Sequence, residues 1–112
     1  MGADSFHVYY GLRWCISRED ERLMEALELG TEARLVAAAQ HSLDHWWGET
    51  EDEEVYFLLI GARVSQLGWE YGESSSATLD SLREIDARVS GKLRQAGFQE
   101  KPALHFQFLP DR

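Results

Sequence analysis

Apolar and polar residues follow three kinds of pattern along this chain, and each predicts a different element. Val55-Tyr-Phe-Leu-Leu-Ile60 is an unbroken apolar run, rich in aromatic and branched side chains. It is too short to cross a bilayer and lacks helical spacing, so it predicts a strand buried on both faces at the centre of a sheet. Alternation marks two more strands. Over Ser5 to Ile16 the set Phe6, Val8, Tyr10, Leu12, Trp14 and Ile16 is expected to face the core. The opposite set, His7, Tyr9, Gly11, Arg13 and Cys15, is mixed rather than polar, which predicts partial cover on that side too. Gly11 predicts a bulge or a close approach by another backbone. Over Ala103 to Leu109, Leu104, Phe106 and Phe108 alternate with His105 and Gln107, and the flanking Pro102 and Pro110 predict an edge strand.

Helical spacing fills the rest. Ser17 is the expected N-cap of a first helix with acids in its first turn, Leu23, Met24 and Leu27 on one side, and Gly30 as its stop. Thr31 then caps a second helix, with Leu35, Val36, Ala39, Leu43 and Trp46 as its buried face and Gly48 as its end. A long helix carries Leu79, Leu82, Ile85, Val89, Leu93 and Ala96. Its end predicts a Schellman motif, with Gly97 left-handed and Phe98 packed back on Leu93. Between Gly68 and Ser76, two glycines and three serines mark a loop in which Trp69 and Tyr71 line a small pocket or cover the sheet.

Gly61 allows two readings. Either one long strand bulges there, or Gly61-Ala62 is a two-residue turn and a second strand follows from Arg63 to about Trp69. The expected architecture is therefore a single α+β domain over residues 1–112: a two-layer sandwich with a three- or four-stranded sheet and about three helices, mainly on one face. The order is β-α-α-β-(β)-α-β, and the hairpin version gives a ferredoxin-like order with one extra helix.

Composition agrees with a globular chain, at 44% hydrophobic and 12% aromatic residues. The single cysteine excludes an internal disulfide, and no basic-then-apolar leader pattern opens the chain, so a cytoplasmic location is expected. No apolar run approaches the roughly 20 residues of a membrane span. Charge adds more. The net charge of -9 resides between Glu19 and Glu54, where twelve acids face two bases, while the remainder is nearly balanced. Such a distribution disfavours direct nucleic-acid binding, which needs clustered Lys and Arg.

Three candidate chemistries follow. His41, Asp44 and His45 would share a helix face at one-turn spacing, as in a small metal-dependent hydrolase, although Ser42 stands where the zinc-protease motif needs Glu. Glu49, Glu51, Asp52 and Glu53 offer hard oxygen ligands for Ca2+, but their spacing is not that of an EF-hand. Carboxylates several ångströms apart in water repel by only about half a kcal/mol, so the run also stands without a cation. Trp46 and Trp47, about 100° apart on a helix, cannot both enter one core. An exposed Trp beside Glu49, Glu51, Asp52, Glu53 and Glu54 has the composition of a protein interface. Cys15 reads as a buried structural thiol, and Ser74 to Ser76 as a loop with a cap. The leading expectation is a small acidic protein-binding module that docks on a basic partner. Immunity proteins and other small inhibitors are analogues in charge and size only.

Overall fold

The computed structural model describes residues 4–110. It is an α+β structure with one open antiparallel sheet, ordered β2-β3-β1-β4. Along the chain, β1 (Ser5–Ser17) leads to α1 (Glu21–Leu29), α2 (Ala33–Gln40), β2 (Asp44–Glu49), β3 (Val55–Gly68), α3 (Leu79–Gln95) and β4 (Ala103–Leu109). β1 and β3 are the two interior strands, and β2 and β4 are the edges.

The apolar run does what its composition requires. Phe57, Leu58, Leu59 and Ile60 are fully buried, and alternate residues enter two separate clusters on the two sheet faces. On one face Leu12, Ile16, Leu58, Ile60 and Ala62 pack against Leu27 of α1, Leu35 and Ala38 of α2, and Val89 and Leu93 of α3. On the other, Tyr9, Phe57 and Leu59 pack with Trp46 and Leu109. Each large side chain removed from water in this way contributes roughly 1.5–3 kcal/mol. Among the described residues, the second cluster contains no helical side chain.

Gly61 does not turn the chain. β3 runs through it unbroken, with Gly61 directly opposite Gly11 of β1. A Cβ on Gly11 would run into the backbone carbonyl of Ile60, and one on Gly61 into that of Tyr10, each the residue before the facing glycine, so the close approach expected at Gly11 is met by a second glycine. The ladder irregularity lies elsewhere, where Val8 pairs with Ser65 and Tyr9 with Arg63, leaving Val64 as the extra residue.

The fourth strand comes instead from residues expected to end the second helix. α2 stops at Gln40, His41 caps it, and Ser42 adopts a left-handed φ of 56°. Leu43 is buried beneath the reversal, with its N–H donating to the Ala38 carbonyl at 2.9 Å. Asp44–Glu49 then pairs with β3. A strand buried on both faces needs both backbone edges satisfied, and this requirement overrides the helical spacing of Leu43 and Trp46. The expected arrangement is consequently not matched exactly: the hairpin joins β2 to β3 across residues 50–54 instead of turning at Gly61-Ala62.

Two caps also shift. Asp20, not Ser17, caps α1 by accepting from the Leu23 N–H, and Ser17 accepts instead from the Glu19 N–H. Glu32, not Thr31, caps α2, accepting from the N–H groups of Arg34 and Leu35 while its other oxygen holds the Arg34 guanidinium at 2.8 Å. Gly30 is left-handed at 72°, as its stop signal requires. At the end of α3 the Phe98 N–H donates to the Leu93 carbonyl and the Gly97 N–H to the Arg94 carbonyl, both at 3.0 Å, completing the Schellman motif.

β4 has the expected bounds and edge position, but its burial is inverted. Gln107 is buried, whereas Phe106 is 71% exposed and Leu104 38% exposed. α3 packs chiefly against β1 and β3 and stops short of covering the apolar side of β4.

Candidate functional site

Two acidic segments distant in sequence meet at one end of the sheet. The Arg18 N–H donates to the Glu54 carbonyl at 2.9 Å, tying the approach to α1 to the β2-β3 turn. Glu19, Asp20 and Glu21 are thereby brought beside Glu51, Asp52, Glu53 and Glu54, all exposed. The turn is closed by its own groups. Thr50 Oγ1 donates to the carbonyls of Asp52 and Val55, and Asp52 Oδ1 accepts from the Glu54 N–H at 2.9 Å. Acidic side chains are thus held by a well-bonded turn rather than by a flexible loop.

The strand geometry separates the two tryptophans, which alternate across the sheet instead of splaying around a helix. Trp47 lies on the helix-covered side against Tyr56, with ring centroids 6.0 Å apart. The Tyr56 hydroxyl donates to Glu49 Oε1 at 3.1 Å, and burial, this hydrogen bond and the nearby Glu49 and Glu28 charges raise the phenol pKa. Glu28 of α1 and Tyr56 therefore join the acidic and aromatic surface. Trp46 leaves it, packing on the opposite face against His7 at 4.5 Å and Phe57 at 4.6 Å.

The proposed histidine pair is not assembled. His41 sits at the end of α2 with Nδ1 3.0 Å from the Ala37 carbonyl, whereas Asp44 and His45 alternate across β2. Among the described residues, no group of three or more His, Cys, Asp or Glu is placed to hold a metal ion, and this includes Glu49, Glu51, Asp52 and Glu53. Cys15 is exposed rather than buried, because it lies on the face without helices, where it receives a hydrogen bond from Arg13 Nη1 at 3.2 Å. Trp69 and Tyr71 diverge. Trp69 is 88% exposed beside a depression shared with Phe6, Leu67 and Phe108, and Tyr71 packs edge-on against His7 at 5.6 Å.

One cluster escaped the sequence reading. His7 is only 4% exposed between Trp46 and Tyr71, its Nε2 is 3.0 Å from Ser5 Oγ, and its Nδ1 is buried without a hydrogen-bond partner among the described residues. Burial, helped by the Arg63 charge, lowers its pKa. Tyr9 lies beneath Trp46 and Arg63, and burial, with Asp44 adding to it, pushes its phenol up to about 12. Burial disfavours the charged form of both rings, and both pack among aromatic neighbours to build the face without helices. The mixed character of His7 and Tyr9 in the alternation of β1 was the available signal. A second polar contact, from the Tyr10 hydroxyl and Ser90 Oγ to Asp86 Oδ1, fastens β1 to α3. These bonds lower the Asp86 pKa, while burial and the Asp86 contact raise that of Tyr10. No family model, curated protein or solved structure matches this chain.

Proposed function

We propose that the protein is a binding module whose acidic end, formed by the start of α1 and the β2-β3 turn, docks on a basic partner protein, with Trp47 and Tyr56 as its aromatic anchors. The observation that carries this reading is the convergence of Glu19 to Glu21 with Glu51 to Glu54 through the Arg18–Glu54 backbone bond. Concentrating charge in this way raises the rate of encounter with a basic surface and disfavours acidic competitors. The partly exposed Trp47 and Tyr56 supply apolar area that slows dissociation.

The test separates these two roles. The protein is used as bait in a native lysate, and a captured partner is then followed by binding kinetics. Glu51→Lys with Glu54→Lys leaves the Asp52 side chain that closes the turn in place. It should slow association by about tenfold at low salt and lose most of that effect at high salt. Trp47→Ala should act mainly on dissociation. A partner that binds both variants like the parent docks elsewhere, and the reading is then wrong.

A further inference from the structure

The edge strand β4 is unlike the rest of this surface. From Pro102 to Pro110 there is no Asp, Glu, Lys or Arg, in a protein with a net charge of -9. Leu104 and Phe106 are exposed and Phe108 is partly so. The outer backbone edge of β4 has no strand beside it among the described residues, and none of the charged side chains that usually blunt such an edge is present. β4 is also nearly palindromic in character. Pro102 and Pro110 each lie four residues from Phe106, with Leu104 and Phe108 two residues to either side.

We infer that β4 pairs with β4 of a second copy of this chain, in antiparallel register about a two-fold axis at Phe106. This register sets Phe106 opposite its own symmetry mate, Leu104 opposite Phe108, His105 opposite Gln107 and Ala103 opposite Leu109. The two prolines, which cannot donate to a ladder, fall opposite one another at its ends. The apolar side chains of both copies then form one continuous row on the helix-covered side, and two four-stranded sheets become one of eight.

Charge selects this occupant over the alternatives. Two copies of an acidic protein repel wherever their acidic surfaces meet, and β4 is an uncharged strip along which they can approach. The other edge offers no such route. Antiparallel pairing of β2 with itself would set Asp44 of each copy beside the acidic end of the other, where Glu49 and the turn to Glu54 lie. A seven-residue strand pair is a small interface, so dimerisation is expected at about 10–100 µM.

Sedimentation velocity between about 5 and 500 µM should show a concentration-dependent dimer. Phe106→Lys, at an exposed position, should weaken it by at least about tenfold by setting two like charges across the axis. The register has its own test, in a Cys15→Ser background. Facing residues of an antiparallel pair have Cα atoms about 4.5–5.5 Å apart, within disulfide range. Phe106→Cys should therefore give a disulfide-linked dimer under mild oxidation, while Ala103→Cys, about six residues from its own mate, should not. A parent protein that stays monomeric at the highest concentration overturns the inference, and the edge then has another occupant. So does a dimer that Phe106→Lys leaves intact, or one in which both cysteines cross-link equally.

Discussion

β2 and β4 close the same sheet from opposite sides, yet they present contrary surfaces to the solvent. β2 and the turn behind it carry six acids and no Lys or Arg between Asp44 and Glu54, and the large side chains of β2 are packed inward, Trp46 on one face and Trp47 on the other. β4 carries no Asp, Glu, Lys or Arg, and its Leu104 and Phe106 are exposed. The contrast shows how one sheet can keep one edge closed to self-pairing while leaving the other open to it. Antiparallel self-pairing would bring Asp44 of one copy close to Glu49 and the acidic turn of the other, so acids on β2 oppose pairing between copies while still attracting a basic partner. An uncharged apolar edge has no such protection.

The largest expected effect tests the interior that both edges depend on. Gly61→Val would force a side chain into the Tyr10 carbonyl and should cost about 3 kcal/mol or more in chemical denaturation. A near-neutral result would mean that β1 and β3 are not in register here, and both edges would be misplaced. The next separates the edges themselves. Trp46→Ala removes a ring that covers His7, Tyr9 and Phe57, and should cost about 2–3 kcal/mol. Phe106→Ala, measured at a concentration where the protein is monomeric, should cost no more than about 0.5 kcal/mol, because the ring is 71% exposed. Equal costs would remove the distinction between an inward-packed and an outward-facing edge.

A smaller effect probes the cover that Trp46 provides. His7 has a lowered pKa in the folded protein, first from burial and then from Arg63. Between its folded value and the ordinary value of about 6.5, the unfolded chain binds more protons than the native state. Stability is therefore undiminished by His7 above about pH 6.5 and falls as the pH drops below it. Asp86 works in the same sense, at lower pH. Its pKa is lowered by Tyr10 and Ser90, so its contribution is present above the ordinary carboxylate range and is lost at more acidic pH. Denaturation at about pH 7.5 and about pH 5.5 should show a smaller difference for His7→Phe than for the parent. An identical difference would place His7 in contact with solvent.

Much of this was legible in the chain. Local signals with a steric basis held: the run from Val55 to Ile60, the extent of β1, the Gly30 stop, the Schellman end at Gly97 and the proline limits of β4, although in β1 Phe6 is half-exposed while His7 and Tyr9 of the opposite set are buried. What failed depended on partners far away in sequence. Residues 44–49 carry a helical pattern that continues from α2, and only the unmet outer edge of β3 turns them into a strand. That single change moved Trp46 out of the acidic surface and dispersed His41, Asp44 and His45. The inverted burial of β4 has the same origin, since its alternation reveals two faces but not that α3 leaves the apolar one uncovered. The acidic residues were visible as a run, whereas their meeting with the start of α1 required the Arg18–Glu54 bond.

The contrast between the edges is tested most directly by amide hydrogen exchange of the parent protein at about 5 µM and about 500 µM, read separately over β2 and β4. The outward-facing amides of β4 should exchange more slowly at the higher concentration, while those of β2 should not change. Protection that stays constant over β4, or that rises over β2 instead, would contradict the assignment of β4 as the open edge and β2 as the guarded one.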